Sequence, residues 1–275
     1  MLCSMSMDRF QRAVWEYYRA HGRHDLSWRQ FETDGALDPY KVLVSELMLQ
    51  QTQVSRVIPK FEIFVRQFPT LESLSAASLA DVLRAWNGLG YNRRAKFLWQ
   101  AAQAVVRDYG GRLPDTSGEL LKLPGVGINT AGAILAYAYN KPVVFVETNI
   151  RTVFIYHFFA DTERVSDKDI ADMVTKTLPD NVREWYWALM DYGTYLKQAV
   201  GNVNKQSKHY AKQSTFHGSR RQIRGQVLRL LAAGNQTRDD LVGLVADERL
   251  LSILDDLTSE GLIAKRGKQY LLAER

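Results

Sequence analysis

The chain has 275 residues, 46% of them apolar, and its 36 Lys and Arg against 30 Asp and Glu leave a formal net charge of +6. That length and apolar content fit a folded protein of about two domains and exclude a disordered chain, while the basic excess points to a polyanionic partner. The single cysteine, Cys3, excludes a disulfide framework and a cysteine-held metal cluster. No apolar run approaches the ~18 residues of a membrane span, and the first residues lack a secretion signal, so the expected compartment is the reducing cytoplasm.

Taken in order, residues 10–18, 42–49, 54–68 and 95–106 repeat apolar side chains at spacings of three and four, the period of helices with one buried face. Pro39, Pro69, Gly88, Gly90, Gly110, Gly111, Pro124, Gly125, Gly127, Pro142 and Pro179 fall between the periodic stretches, where helices should stop. About ten short helices and little strand are expected up to Tyr195. Between Asp191 and Asp239 no acidic residue occurs, whereas Lys197, Lys205, Lys208, Lys212, Arg220, Arg221 and Arg224 do, with His209, Tyr210 and Phe216 among them. Aromatics interleaved with cations suit a nucleic-acid surface; a solvated basic face is the plainer alternative. Beyond Arg221 a helix around 227–231, a second opened by Thr237 as N-cap, a third over 247–259 and a two-stranded ribbon of 262–264 and 269–272 with a basic tip read as a winged-helix-like unit. Such a unit grips either a DNA groove or another protein.

Three places carry chemistry. Residues 120–134 read as an apolar helix end, the turn Pro124-Gly125-Val126-Gly127 and a new helix start that contains Thr130. Glycines there remove side-chain bulk, so backbone N–H groups of the turn and of the helix N-terminus can meet a phosphate oxygen, whatever the base sequence. Glu46 lies amid Leu43, Val44, Leu47 and Leu49, where burial would raise its pKa and keep a proton available for donation near neutral pH. Glu147 ends the apolar run 143–146 where a helix begins, and a helix N-terminus favours the ionised carboxylate. An anion so placed stabilises a cationic sugar by the logic of paired glycosidase carboxylates, with Asn149 orienting it.

Residues 120–134 resemble the helix-hairpin-helix of the DNA glycosylase superfamily that includes endonuclease III. Residues 38–54, with Trp28-Arg29 upstream and Trp86-Asn87-Gly88-Leu89-Gly90-Tyr91 downstream, look like the A/G-mismatch adenine glycosylases (the MutY family), and the likeness runs over about residues 8–195. It implies an all-α, two-lobed fold, with 1–35 and 138–200 as one helical lobe and 36–137 as a six-helix lobe with the helix-hairpin-helix; the residues beyond it read as a basic connector over 201–220 and the winged-helix-like domain over 221–275. It also implies a monomeric, nucleoid-associated enzyme of base excision repair. Such an enzyme hydrolyses the N-glycosidic bond of a mispaired base in double-stranded DNA, foremost adenine opposite guanine or 8-oxoguanine. Glu46 would then protonate a ring nitrogen of the departing adenine. Gln51 and Tyr91 match residues that wedge into the base stack as the nucleotide is extruded, and Trp28 would line the base pocket.

The chain departs from this family in four ways. Glu147 stands where the family has Asp, adding about 1.5 Å of reach where catalytic groups are held to within ~0.5 Å. Asn129 stands where bifunctional relatives have the sugar-attacking lysine and where this family has Tyr or Ser, so base removal without strand cleavage is expected. Relatives commonly hold a [4Fe-4S] cluster after the stretch matching residues 187–193. No cysteine lies there, so no cofactor and no metal are expected, and Lys205, Lys208, Lys212, Arg220, Arg221 and Arg224 would supply phosphate contacts in the cluster's place. The C-terminal domain by which many adenine glycosylases recognise 8-oxoguanine is not apparent. Two other readings stay open: a thymine or uracil mismatch glycosylase, for which Glu46 would matter little, and a DNA-binding protein without catalysis, in which Glu147 caps a helix.

Overall fold

A computed structural model describes residues 6–33 and 35–275; Cys3 lies outside the described residues. The first half carries α1 (Met7–His21), a 3-10 turn (Ser27–Arg29), α2 (Pro39–Leu49), α3 (Val54–Gln67), α4 (Leu71–Ala76), α5 (Leu79–Ala85), α6 (Arg93–Tyr109) and α7 (Ser117–Leu120). There follow α8 (Ile128–Tyr137), α9 (Thr148–Phe158), α10 (Asp167–Thr177), α11 (Val182–Ala199) and a second 3-10 turn (Val203–Gln206). The C-terminal part is α12 (Arg220–Ala233), β1 (Gln236–Thr237), α13 (Arg238–Leu244), α14 (Leu250–Ser259), β2 (Ile263–Arg266) and β3 (Gln269–Leu272).

Seven of these α-helices begin where a short polar side chain satisfies a free N–H. Ser6, Ser78, Asn181 and Ser219 cap α1, α5, α11 and α12, and Thr70, Ser166 and Thr237 form reciprocal capping boxes on α4, α10 and α13. One expected stop is corrected: Pro39 opens α2 rather than ending a helix, in a first turn where its missing N–H and fixed φ cost nothing. Pro59 stands inside α3. The third C-terminal helix starts at Leu250 instead of residue 247, because Asp247 accepts from the Arg249 N–H at 2.9 Å and makes a turn there. The two-residue β1 was not anticipated.

The chain divides into two compact units. Unit 1 comprises Met1–Val42, Asp115–Leu121 and Val126–Lys212. Its core sets the Phe10 ring 5.3 Å from Phe154, 4.9 Å from Phe158 and 5.9 Å from Trp185, joining α1, α9 and α11. Unit 2 comprises Leu43–Pro114, Lys122–Gly125 and Gln213–Arg275. There the sheet is antiparallel in the order β1-β3-β2, Leu79 at the start of α5 donates to the Glu274 carbonyl at 3.1 Å, and Lys96 on α6 donates to the Glu260 carbonyl at 2.6 Å. The C-terminal helices and sheet thus dock on α5 and α6 within one core.

Candidate active site

In unit 1 Glu147 is the N-cap residue of α9, with extended backbone and half-buried. Neighbours pin the irregular stretch before it. The Tyr186 hydroxyl donates to the Val143 carbonyl at 2.7 Å and the Asn129 amide to the Val146 carbonyl at 3.0 Å. Gly132 of α8 lets Phe145 approach so closely that a Cβ there would lie 2.7 Å from the Phe145 Cβ. On the far side Gly193 of α11 admits the first turn of α9, since a Cβ at Gly193 would overlap the Asn149 carbonyl oxygen. The carboxylate is therefore presented by three helices. Burial pushes the Glu147 carboxyl up, opposed by Arg151 one turn further along α9. Desolvation outweighs the pull of Arg151. Arg151 is itself oriented by a two-pronged pair with Asp167, at 2.8 and 2.9 Å.

Trp28, also in unit 1, is buried in the 3-10 turn Ser27–Arg29. That turn is anchored by Arg29, which donates to both oxygens of the buried Asp191 at 2.8 and 3.0 Å and stacks 5.3 Å from the Trp187 ring. Burial works against the Asp191 charge, yet Arg29 and Arg23 together hold this carboxyl below its ordinary range.

In unit 2 Glu46 is half-buried on α2 between Ser45 and Leu47, both buried. Just beyond α2, Gln51 takes a left-handed backbone (φ 55°), and so does Tyr91 (φ 47°). Side chains adopt this region rarely and at a cost, so the surroundings must hold it. Arg94 does so. Its guanidinium, buried in the core, donates to the carbonyls of Leu47, Met48 and Gln50 at 2.7, 2.9 and 2.6 Å and to that of Gly90 at 3.0 Å. It closes the orphan carbonyls at the end of α2 and ties both loops together. Burial lowers the Arg94 pKa to about 10, which leaves it charged at neutral pH. Sequence reasoning missed Arg94, and the only signal was a cation in the otherwise apolar face of α6.

In the hairpin Gly125 has φ 78° and no room for a side chain, because a Cβ would lie 2.7 Å from the Phe97 Cβ and 3.3 Å from a Leu47 methyl. Pro124 is half-buried and Val126 buried; Gly127 caps α8 and is exposed, as is Ile128. The first turn of α8, whose N–H groups have no acceptor within the helix, starts there, while Thr130 is buried. Of the basic residues, Lys208 and Lys212 are exposed, and Arg221 is half-buried, donating at 2.6 Å to the Tyr91 hydroxyl.

A [4Fe-4S] cluster needs four thiolates, and the residues present do not fit one: after α11 the chain has none. Other bonds fasten this segment within unit 1. Asn204 donates to the Thr152 hydroxyl at 2.6 Å, and Val165 and Lys208 exchange N–H bonds of 2.9 Å with Gln206 and Val165 carbonyls.

Residues 44–179 match the family model described as the HhH-GPD superfamily base excision DNA repair protein. The adenine DNA glycosylase of Mycolicibacterium smegmatis is 34% identical over 272 residues, covering 88% of this chain and 89% of that protein. The chain belongs to this superfamily. The adenine DNA glycosylase of Buchnera aphidicola subsp. Baizongia pistaciae is 33% identical over 192 residues, and the matched region spans about half of its length (52%) and 68% of this chain. A solved thermostable thymine-DNA glycosylase superposes with a TM-score of 0.60 at 24% identity, covering 68% of this chain and 85% of that one, a likeness of fold alone. Within this HhH-GPD chain no helix among the described residues is long and apolar enough to cross a membrane.

Proposed function

We propose that this HhH-GPD protein is a monofunctional DNA glycosylase that removes mispaired adenine from double-stranded DNA by hydrolysing its N-glycosidic bond. The observation that carries the reading is the fixed presentation of Glu147 beside an Asn129 whose amide is engaged on the Val146 carbonyl. This supports Glu147 as the carboxylate that faces a forming sugar cation, with no amine at the lysine position to open the sugar. Glu46 acts as general acid toward the adenine ring, which leaves poorly until protonated. Glu147 stabilises the oxocarbenium ion from below or captures it, before water completes the hydrolysis. Gln51 and Tyr91 fill the gap left by the extruded nucleotide. The amides of the hairpin turn, with Lys208 and Lys212, hold phosphates.

The test is a single-mismatch duplex assay with and without alkali. Adenine is released opposite guanine or 8-oxoguanine, strand breaks appear only after alkali, and Glu46→Gln lowers the single-turnover rate by at least about 10²-fold. Release of thymine or uracil with Glu46→Gln nearly as fast would favour the pyrimidine glycosylase instead. No base release from any mismatch would leave a DNA-binding protein without catalysis.

A further inference from the structure

Unit 2 holds a cavity of about 420 Å³ lined by Gln51, Tyr91, Arg93, Phe97, Arg221 and Arg224, among others. It lies between the two left-handed loops and the first turns of α12. Its residues are already engaged with the wedge pair. Gln213 donates to the Gln51 side-chain oxygen at 3.1 Å and to the Tyr91 hydroxyl. Arg221 donates to that hydroxyl at 2.6 Å and to the Ser214 carbonyl at 2.7 Å, its guanidinium 5.7 Å from the Tyr91 ring centre. Arg224 is neutralised by Glu260 at 2.5 Å, whereas among the described residues no salt bridge ties Arg93 or Arg221 to a carboxylate.

A site with two unneutralised guanidinium groups beside an aromatic ring and a polar wedge suits a flat, acceptor-rich partner. When wedge residues replace an extruded nucleotide, the base they meet is the one left unpaired on the opposite strand. Guanine offers two adjacent acceptors, O6 and N7, that match the fork of an arginine; adenine pairs an acceptor with a donor, and pyrimidines lack N7. We infer that Arg221, poised over Tyr91, reads the unpaired opposite base and selects guanine through O6 and N7, a pair of acceptors that 8-oxoguanine, with a hydrogen on N7, does not offer. This rests on the glycosylase reading above and gives Arg221 a base contact rather than the phosphate contact expected from the basic run alone.

The probe is 7-deazaguanine, which lacks the N7 acceptor alone. Binding of the full chain is measured to duplexes that carry a tetrahydrofuran abasic analogue opposite guanine or opposite 7-deazaguanine, so no catalysis is needed. The wild type binds the guanine duplex about tenfold more tightly. Arg221→Ala brings the ratio near one, and Arg221→Lys, which keeps the charge but loses the fork, removes most of it; thermal melts accompany both. A ratio unchanged in Arg221→Ala, with affinity for both duplexes reduced alike, would make Arg221 a phosphate contact and overturn the inference. So would a wild type indifferent to N7, a result that depends on no variant. Failure of the glycosylase reading shows separately, as absence of base release from every mismatched duplex.

Discussion

At the residue scale, Glu147 sits in opposing influences: burial raises its pKa, and Arg151 lowers it. A carboxylate raised in this way loses its charge at a higher pH than an ordinary one. Activity that needs the anion is therefore present above that pKa and is lost as pH falls through it. Arg151→Met removes the lowering influence, so the acid limb of the single-turnover pH–rate profile moves to higher pH, with the plateau rate retained above it. An unmoved limb would mean that another group sets it. Gln51 holds a left-handed φ of 55° that glycine would adopt without strain. Gln51→Gly is expected to change folding free energy by less than about 1 kcal/mol in urea titrations. It should slow excision at least about tenfold, because flipping costs a few kcal/mol and the wedge is gone.

At the scale of elements, the first turn of α9 is set by what α8 and α11 allow. Gly193 is the tightest point, because a methyl group there meets backbone rather than a movable side chain. Gly193→Ala should destabilise the protein by about 1–3 kcal/mol and push α9 away from its seat. A displacement of about 1 Å at Glu147 or Asn149 costs roughly 10²-fold in rate. Comparing chemical denaturation with single-turnover excision separates the two effects, and a variant slowed no more than its stability loss predicts would argue against this seat. Arg94 plays the matching part in unit 2. One guanidinium satisfies the end of α2 and the Gly90 carbonyl, so both wedge loops depend on a single buried charge.

At the scale of the whole molecule, the net charge of +6 supplies attraction to any duplex. Lys208 and Lys212 are exposed on a segment held down by Asn204 and by the pairing of residues 165 and 207. Each phosphate contact removed should flatten the log-log dependence of binding on salt by about 0.9. The double variant Lys208→Ala, Lys212→Ala is expected to lose about 1.8 from the slope, to bind all duplexes more weakly and to keep its choice of base. An unchanged slope in a folded variant would make these lysines plain solvated surface.

The periodic apolar residues of α1, α2, α3 and α6, the Thr237 cap, the ribbon of β2 and β3 and the glycine turn of the hairpin were all legible in the chain itself. Each depends on residues within a turn or a few positions of one another, where caps, period and steric freedom act. What escaped reading joins residues far apart. Asn129 meets the Val146 carbonyl 17 positions away, Arg94 the Leu47 carbonyl 47 away, and Arg221 the Tyr91 hydroxyl 130 away. The role of Pro39 and the short β1 belong there too, since a proline opens or ends a helix according to which flanking residues pack, and a two-residue strand exists only because β3 pairs with it. Sequence alone thus determined the helical elements, the family and the residue types available for chemistry. Only tertiary structure decided which groups hold Glu147 and which guanidinium lies over the wedge, because burial and long-range hydrogen bonds act through space and leave no local pattern.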